Sequence, residues 1–178
     1  MLVYGDAERA TDADEACGAV ERALDAVAAL PPGLDRHAAL VTAFIAAGEL
    51  VQGVADSEFA ARGCDAVSPA QEAGLEALLH LAGEVDRSWT GGFSASGPVP
   101  EPIVARLRAC RVPGPIRLRQ GEGYAFYALY PESYAEAARR SGLRADTRVI
   151  GLRSIGTGLA ALVLVATAML GVRLIVAR

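Results

Sequence analysis

Residues 149–160, VIGLRSIGTGLA, decide the fold expected for the C-terminal part of this chain. A short apolar run typical of a strand breaks into a small, polar stretch punctuated by glycine, and an apolar run of helical character follows. The stretch predicts a strand, a loop and a helix. Such a junction points backbone N–H groups and the positive end of a helix dipole at one place, where Arg153 adds a full charge. We expect an anion to bind there.

The composition is that of a folded protein and excludes several kinds of chemistry. Of the 178 residues 52% are hydrophobic, which is ample for the core of one or two domains. All 17 basic residues are arginine, so a P-loop lysine, a Schiff-base lysine and a lysine general base are excluded. Cys17, Cys64 and Cys110 are widely spaced and predict no zinc site. Neither His37 nor His80 is assigned a role.

The charge is unevenly distributed along the chain. Residues 1–90 contain 16 Asp and Glu against 5 Arg, a net charge of −11, whereas residues 91–178 contain 5 against 12, a net charge of +7. The glycine-rich junction lies in the basic half, where a positive field raises the local concentration of phosphorylated ligands. The first residues lack the basic and apolar segments of a secretory signal, and this favours a cytoplasmic location.

The first 88 residues predict helices. Apolar residues at helical spacing place one helix at 13–30 and another at 35–62, although Gly48 and Gly53 weaken the second and leave open one long helix or two shorter ones. Residues 68–71 (Ser-Pro-Ala-Gln) form a capping-box start for a third helix, which runs to about Asp86.

Residues 89–115 predict a linker that contains a short helix at 103–110. Its first part concentrates Gly, Ser and Pro around Trp89 and Phe93. These two aromatic residues either line a pocket for base stacking or, as is more frequent, pin the linker onto the core.

Strands and helices alternate from residue 116 onward. Period-two and aromatic patterns predict two strands joined by a glycine turn, followed by a helix, a strand, a helix and a strand: 116–119, 124–130, 131–141, 147–152, 158–170 and 173–177. This order implies a parallel sheet with right-handed crossovers. Ligands of such sheets bind at the carboxyl ends of strands, where residues 153–157 fall.

The run VIGLRSIGTGLA resembles the pyrophosphate-binding loop of type I phosphoribosyltransferases. In the orotate phosphoribosyltransferase branch a hairpin rich in Gly and Tyr and then a helix precede that loop, and IRLRQGEGYAFYALY (116–130) and PESYAEAARR (131–140) stand here in the same order. The chain is also similar to uncharacterised bacterial proteins that join a helical N-terminal region to such a domain. The resemblance covers residues 116–178 and implies an incomplete phosphoribosyltransferase-like parallel sheet, on which the helical region 1–88 packs.

The resemblance also implies a ligand and the residues that bind it. The ligand is a phosphoribosyl diphosphate or a similar nucleotide, bound by Arg153, Ser154, Ile155, Gly156 and Thr157. Arg153 would pair with phosphate oxygens, Ser154 and Thr157 would donate their hydroxyls, and Gly156 would let the backbone approach closely. Mg²⁺ is a cofactor that the resemblance suggests.

One signature of the family is missing from the chain. No Asp or Glu follows Val149, so the acidic strand end and glycine-rich loop that hold the ribose 5-phosphate are absent. We therefore expect either the front part of a longer domain or a protein that needs a partner or a second copy to cover its sheet edge. Transferase activity is not expected of these residues alone.

Two alternatives are open. Residues 154–172 form an uncharged run of 19 residues flanked by arginines, long enough for a single membrane span, although its polar residues and the lack of an aromatic belt speak against one. Alternatively, the chain is a non-catalytic interaction protein, in which the acidic helical half is a protein-interaction module and the basic half a non-catalytic nucleotide-binding domain. A role in nucleic-acid binding is supported only by the excess of arginine.

Overall fold

The computed structural model of the chain describes residues 8–94, 101–108, 112–119, 129–144, 147–152, 155–167 and 173–177. Within these ranges the chain is mostly helical with two small sheets, which places it in the general α/β class. The elements in chain order are β1 (Glu8–Asp12), α1 (Ala13–Ala29), α2 (Leu34–Arg62), α3 (Pro69–Thr90), α4 (Glu101–Arg108), β2 (Pro115–Arg119), α5 (Pro131–Arg140), β3 (Arg148–Leu152), α6 (Ile155–Ala166) and β4 (Arg173–Ala177).

Side-chain caps begin two of the helices, and the sequence predicts the second of these caps. The Asp12 carboxylate accepts a hydrogen bond from the Glu15 N–H at 2.7 Å at the start of α1. The Ser68 hydroxyl accepts one from the Gln71 N–H at 3.1 Å at the start of α3, with Pro69 in the first helical position. Each cap satisfies an N–H group that has no partner inside the helix.

The α2 segment is one helix and not two. A side chain at position 53 would place its Cβ 2.9 Å from Cδ2 of Leu118 and 3.1 Å from the carbonyl oxygen of Arg117. Gly53 therefore allows β2 to lie close against α2, and it does not break the helix. The helix ends at Gly63, whose φ of +73° is left-handed and whose N–H donates to the Phe59 carbonyl at 2.8 Å.

The α2 helix is the centre of the hydrophobic core. It packs against α1, α3, β2 and α6, and its largest buried side chains include Leu40, Phe44 and Leu50. The buried Gln52 side chain accepts a hydrogen bond from the Arg119 N–H at 3.3 Å and so anchors β2. Contact on so many sides explains why the apolar residues of this helix are distributed around it and are not confined to one face.

Two helices, α2 and α6, can be compared with the length and composition that a membrane span requires. Among the described residues α2 alone has the length and composition to cross a membrane, with a mean hydropathy of 1.7 over 18 residues, of which 56% are buried inside the protein. The α6 helix, which lies within the predicted span 154–172, has 12 residues. It measures about 18 Å, whereas a hydrocarbon core is about 30 Å thick.

The antiparallel sheet corrects one expectation. The N-terminal region is not wholly helical, because β1 pairs with β2 in a register that joins Glu8 to Arg119 and Asp12 to Pro115. The predicted hairpin partner of β2 lay at 124–130, but residues 124–128 fall outside the described residues and 129–130 are not a strand. β1 is almost wholly exposed, so it lacks the apolar alternation that identifies a strand in sequence.

The C-terminal strands pair in parallel, as predicted. Arg148 lies opposite Arg173 and Leu152 opposite Ala177, and α6 connects the two strands. Gly151 is buried, whereas Ile150 is 59% and Leu152 is 64% exposed. One face of β3 therefore packs on α6, and the opposite face presents apolar side chains to solvent.

Candidate functional site

The predicted anion-binding residues span the end of β3 and the start of α6. Arg153 and Ser154 lie outside the described residues. Ile155 is the first residue of α6, and Gly156 and Thr157 follow within its first turn. The expected helix start at 158 was therefore three residues too late, and residues 155–157 are helical, where a loop was predicted.

A glycine contact brings the amino end of α6 against β3. A Cβ atom at position 151 would lie 2.9 Å from Cβ of Ala160 and 3.0 Å from the carbonyl carbon of Gly156. Real Cβ atoms do not approach so closely, so only glycine fits at position 151 unless the helix moves away from the strand. The strand end and the helix start are consequently held in direct backbone contact.

Thr157 is the unusual polar residue at this junction. Its side chain is completely buried, with 0% of its surface exposed, and Oγ1 has no hydrogen-bond partner within the described part of the chain. Leaving a buried hydroxyl unpaired costs about 1–3 kcal/mol. The hydroxyl lies in the first turn of a 12-residue helix, where the unpaired N–H groups and the helix dipole present about half a positive charge.

The positive field that the composition predicts around the junction is reduced by ion pairs in the folded chain. Among the described residues, four arginines of the basic half pair with acidic residues of the other half: Arg106 with Glu76, Arg108 with Glu21, Arg117 with Glu8, and Arg139 with Asp86. Part of the charge asymmetry is thus offset by ion pairs within the chain. Any anion site at the junction depends on local donors more than on the overall field.

The described part of this junction offers no protein ligands for Mg²⁺. No Asp or Glu follows Val149 in the sequence, and the described residues contain no group of three or more His, Cys, Asp or Glu that could hold a metal ion. The residues present therefore do not fit the Mg²⁺ suggested by the family resemblance.

A second cluster of polar side chains lies where α2, α3 and α5 meet. Nδ1 of His37 is 2.9 Å from Oγ of Ser88, and Nε2 is 2.5 Å from Oε1 of Glu132. The exposed fractions are 4% for His37, 1% for Ser88 and 8% for Glu132. The three residues form a buried carboxylate–imidazole–hydroxyl chain, here called the relay cluster.

Two aromatic side chains cover the relay cluster. The Phe93 ring lies 5.0 Å and the Trp89 ring 6.2 Å from the His37 ring, measured between centroids. Trp89 belongs to the last turn of α3, which runs to Thr90, so the helix continues about four residues beyond its predicted end and takes in a residue expected in the linker. Phe93 has a φ of +66°, which costs about 1–2 kcal/mol for a residue with a side chain.

Sequence reasoning did not find the relay cluster. His37 is separated from Ser88 by 51 residues and from Glu132 by 95, so no local spacing connects them. The only sequence signal nearby was the aromatic pair. The chain matches no protein-family model, no curated protein and no solved structure.

Proposed function

We propose that this chain binds the diphosphate or phosphate group of a small molecule, of the phosphoribosyl diphosphate or nucleotide type, at the junction of β3 and α6. The observation that carries the proposal is the buried hydroxyl of Thr157, which lacks a partner among the described residues and lies in the first turn of α6. A phosphate oxygen is an acceptor for such a hydroxyl, and the amino end of a helix favours its negative charge.

The parallel pairing of β3 and β4 supports the same location. Ligands of parallel sheets bind at the carboxyl ends of the strands, and here these ends are Leu152 and Ala177, which lie opposite one another. In the sequence an arginine follows each of them, Arg153 and Arg178, and neither arginine is among the described residues. Arginine is the residue that pairs best with the oxygens of a diphosphate.

The proposed activity is binding, and transfer is not part of it. The sequence from Val149 onward has no carboxylate that acts as an acid, a base or a metal ligand. Backbone N–H groups, hydroxyls and arginine satisfy phosphate oxygens without any covalent step. A phosphoribosyltransferase-like fold is the arrangement that this proposal favours.

Isothermal titration calorimetry with phosphoribosyl diphosphate and with inorganic diphosphate tests the proposal. Thr157→Val removes the hydroxyl at nearly constant volume and is expected to weaken binding about tenfold, because a hydrogen bond to a charged group contributes about 1.5–3 kcal/mol. Arg153→Ala is expected to weaken binding at least as much. Binding of inorganic diphosphate with equal strength would show that the ribose contributes nothing.

Thr167→Val is the matched control, since it makes the same substitution at the other end of α6. The Thr167 hydroxyl donates to the Val163 carbonyl at 2.6 Å and lies far from the proposed site. This variant is expected to keep the affinity of the wild type. Absence of heat from the wild type with either ligand would refute the proposal, and equal affinities of wild type and Thr157→Val would remove Thr157 from the site.

A protein partner is a second candidate function, favoured by the free face of β3. Ile150 and Leu152 leave an apolar surface that soluble proteins usually cover. A partner protein or a second copy of the chain over this face would bury it. Sedimentation equilibrium of the purified chain distinguishes self-association from a monomer that needs a different partner.

A further inference from the structure

We infer that Ser88 is a base-activated serine, a nucleophile that accepts an activated acyl or sulfonyl group when the aromatic cover of the relay cluster opens. The inference is independent of the proposed phosphate site. It rests on the hydrogen-bonded order of Glu132, His37 and Ser88, on their burial, and on the strained residue Phe93 above them.

The hydrogen bonds determine where the protons lie. A carboxylate only accepts hydrogen bonds, so the contact of 2.5 Å between Glu132 and Nε2 requires the proton to be on Nε2. In the neutral ring Nδ1 then carries the lone pair, and the Ser88 hydroxyl donates to it across 2.9 Å. The residues thus stand in the order of an orienting carboxylate, a base and a nucleophile.

The aromatic side chains that contact the His37 ring reach the surface of the protein. Trp89 is 42% exposed, and Phe93 is partly exposed above the His37 ring. The Phe93 N–H donates to the Ser88 carbonyl at 2.7 Å, which ties its left-handed backbone to the serine it covers. Strained residues of this kind cluster at sites where a segment has to move. An apolar or aromatic group of a reagent fits the space that the Phe93 ring occupies.

The reaction follows from this arrangement. Oγ of Ser88 attacks the carbonyl carbon or sulfonyl sulfur of the reagent, and its proton passes to Nδ1 of His37. The new bond to oxygen forms while the bond to the leaving group breaks, and the leaving group departs with the electron pair. Glu132 stabilises the imidazolium of His37 until the ring releases its extra proton to water or to the leaving group.

The backbone restricts the class of reagent. The N–H groups of Gly91, Gly92 and Phe93 already donate to carbonyl oxygens of α3, so they are not available to stabilise an oxyanion. The site therefore suits reagents with a good leaving group, such as aryl esters and sulfonyl fluorides, and an unactivated amide is not a substrate.

Labelling with phenylmethanesulfonyl fluoride, followed by intact mass and peptide mapping, tests the inference. One adduct is expected on Ser88 in the wild type, with the fluoride released, and none on Ser88→Ala. His37→Gln is expected to label about 10²-fold more slowly, the smaller end of the contribution of a general base. Phe93→Gly relieves the strain and uncovers the cluster, so it is expected to label faster than the wild type.

Ser133→Ala and His80→Gln are the matched controls, because Ser133 neighbours Glu132 and His80 lies on α3 outside the cluster. Both are expected to label like the wild type. If His37→Gln does not fold, as judged by its circular dichroism and thermal transition, Glu132→Gln takes its place, since it keeps an acceptor for Nε2 but lacks the charge, and it is expected to label more slowly. An adduct on a different serine, equal rates in the wild type and the base variant, or no adduct in either the wild type or Phe93→Gly would overturn the inference.

Discussion

The two histidines of the chain occupy opposite environments. His37 has both ring nitrogens hydrogen-bonded to residues of other helices, whereas Nε2 of His80 is buried with no hydrogen-bond partner among the described residues. Burial, and in second place the positive charge of Arg87, lower the pKa of His80 below its ordinary value of 6.5. The carboxylate of Glu84, 3.6 Å from Nε2, is already paired with Arg87. The folded protein therefore favours the neutral form of His80.

This pKa shift predicts a pH dependence of stability. Between 6.5 and the lowered pKa of the folded state, the unfolded chain binds more protons at His80 than the folded chain does. The free energy of unfolding consequently falls as the pH falls through that window. Above the window His80 is neutral in both states, and the protein keeps its full stability. His80→Gln should lose less stability than the wild type when urea unfolding at about pH 7.5 is compared with about pH 5.5. Equal losses in both proteins would contradict the assignment.

The strand–helix junction shows how one backbone contact positions an element. The apolar strand that ends at residue 152 and the apolar helical run from residue 158 onward are both readable from local spacing. The glycine turn between them predicts a junction of strand, loop and helix. The close approach of α6 to β3, however, depends on the absence of a side chain at position 151. Packing of the helix, and not loop flexibility, is therefore the reason for glycine there.

A pair of alanine substitutions tests this at the level of the element. Gly151→Ala should lower the free energy of unfolding by about 1–3 kcal/mol, because overpacking forces α6 away from β3. Gly48→Ala is the control within α2, where the new Cβ would lie 3.8 Å from Cδ1 of Leu78, an ordinary contact. It should raise the free energy of unfolding by about 0.5–1 kcal/mol, since alanine is the better helix former. Urea denaturation measures both, and a Gly151→Ala protein as stable as the wild type would show that the junction is loose.

The two halves of the molecule are joined by charges of opposite sign. The acidic N-terminal half and the basic C-terminal half look in sequence like separate surfaces for separate partners. In the part of the chain that the structure describes, four ion pairs connect them, and the least exposed arginine among these is Arg139, paired with Asp86 across the contact between α5 and α3. The uneven distribution of charge along the sequence thus contributes to the tertiary contacts between its two halves.

Neighbouring arginines on α5 provide a comparison for this contribution. Arg139→Ala should destabilise the protein by about 1 kcal/mol, the upper end for a partly exposed pair. Arg140→Ala should have almost no effect, because Arg140 is 77% exposed and pairs with Glu136 of the same helix. The difference between the variants in urea unfolding should shrink in high salt, which screens the pair. A difference that salt leaves unchanged would indicate lost packing in place of lost charge.

The sequence by itself determined the helices, the Ser68 cap of α3 and the parallel β3–α6–β4 order, because each depends on spacing within one turn or one strand. It missed β1, whose exposed residues carry no apolar alternation, and it misplaced the start of α6 by three residues. Only the tertiary structure decided that β2 pairs with β1, that Gly53 lies under β2, and that His37 meets Ser88 and Glu132. These contacts join residues far apart in the chain, and they form when helix and sheet faces dock, which no local pattern encodes.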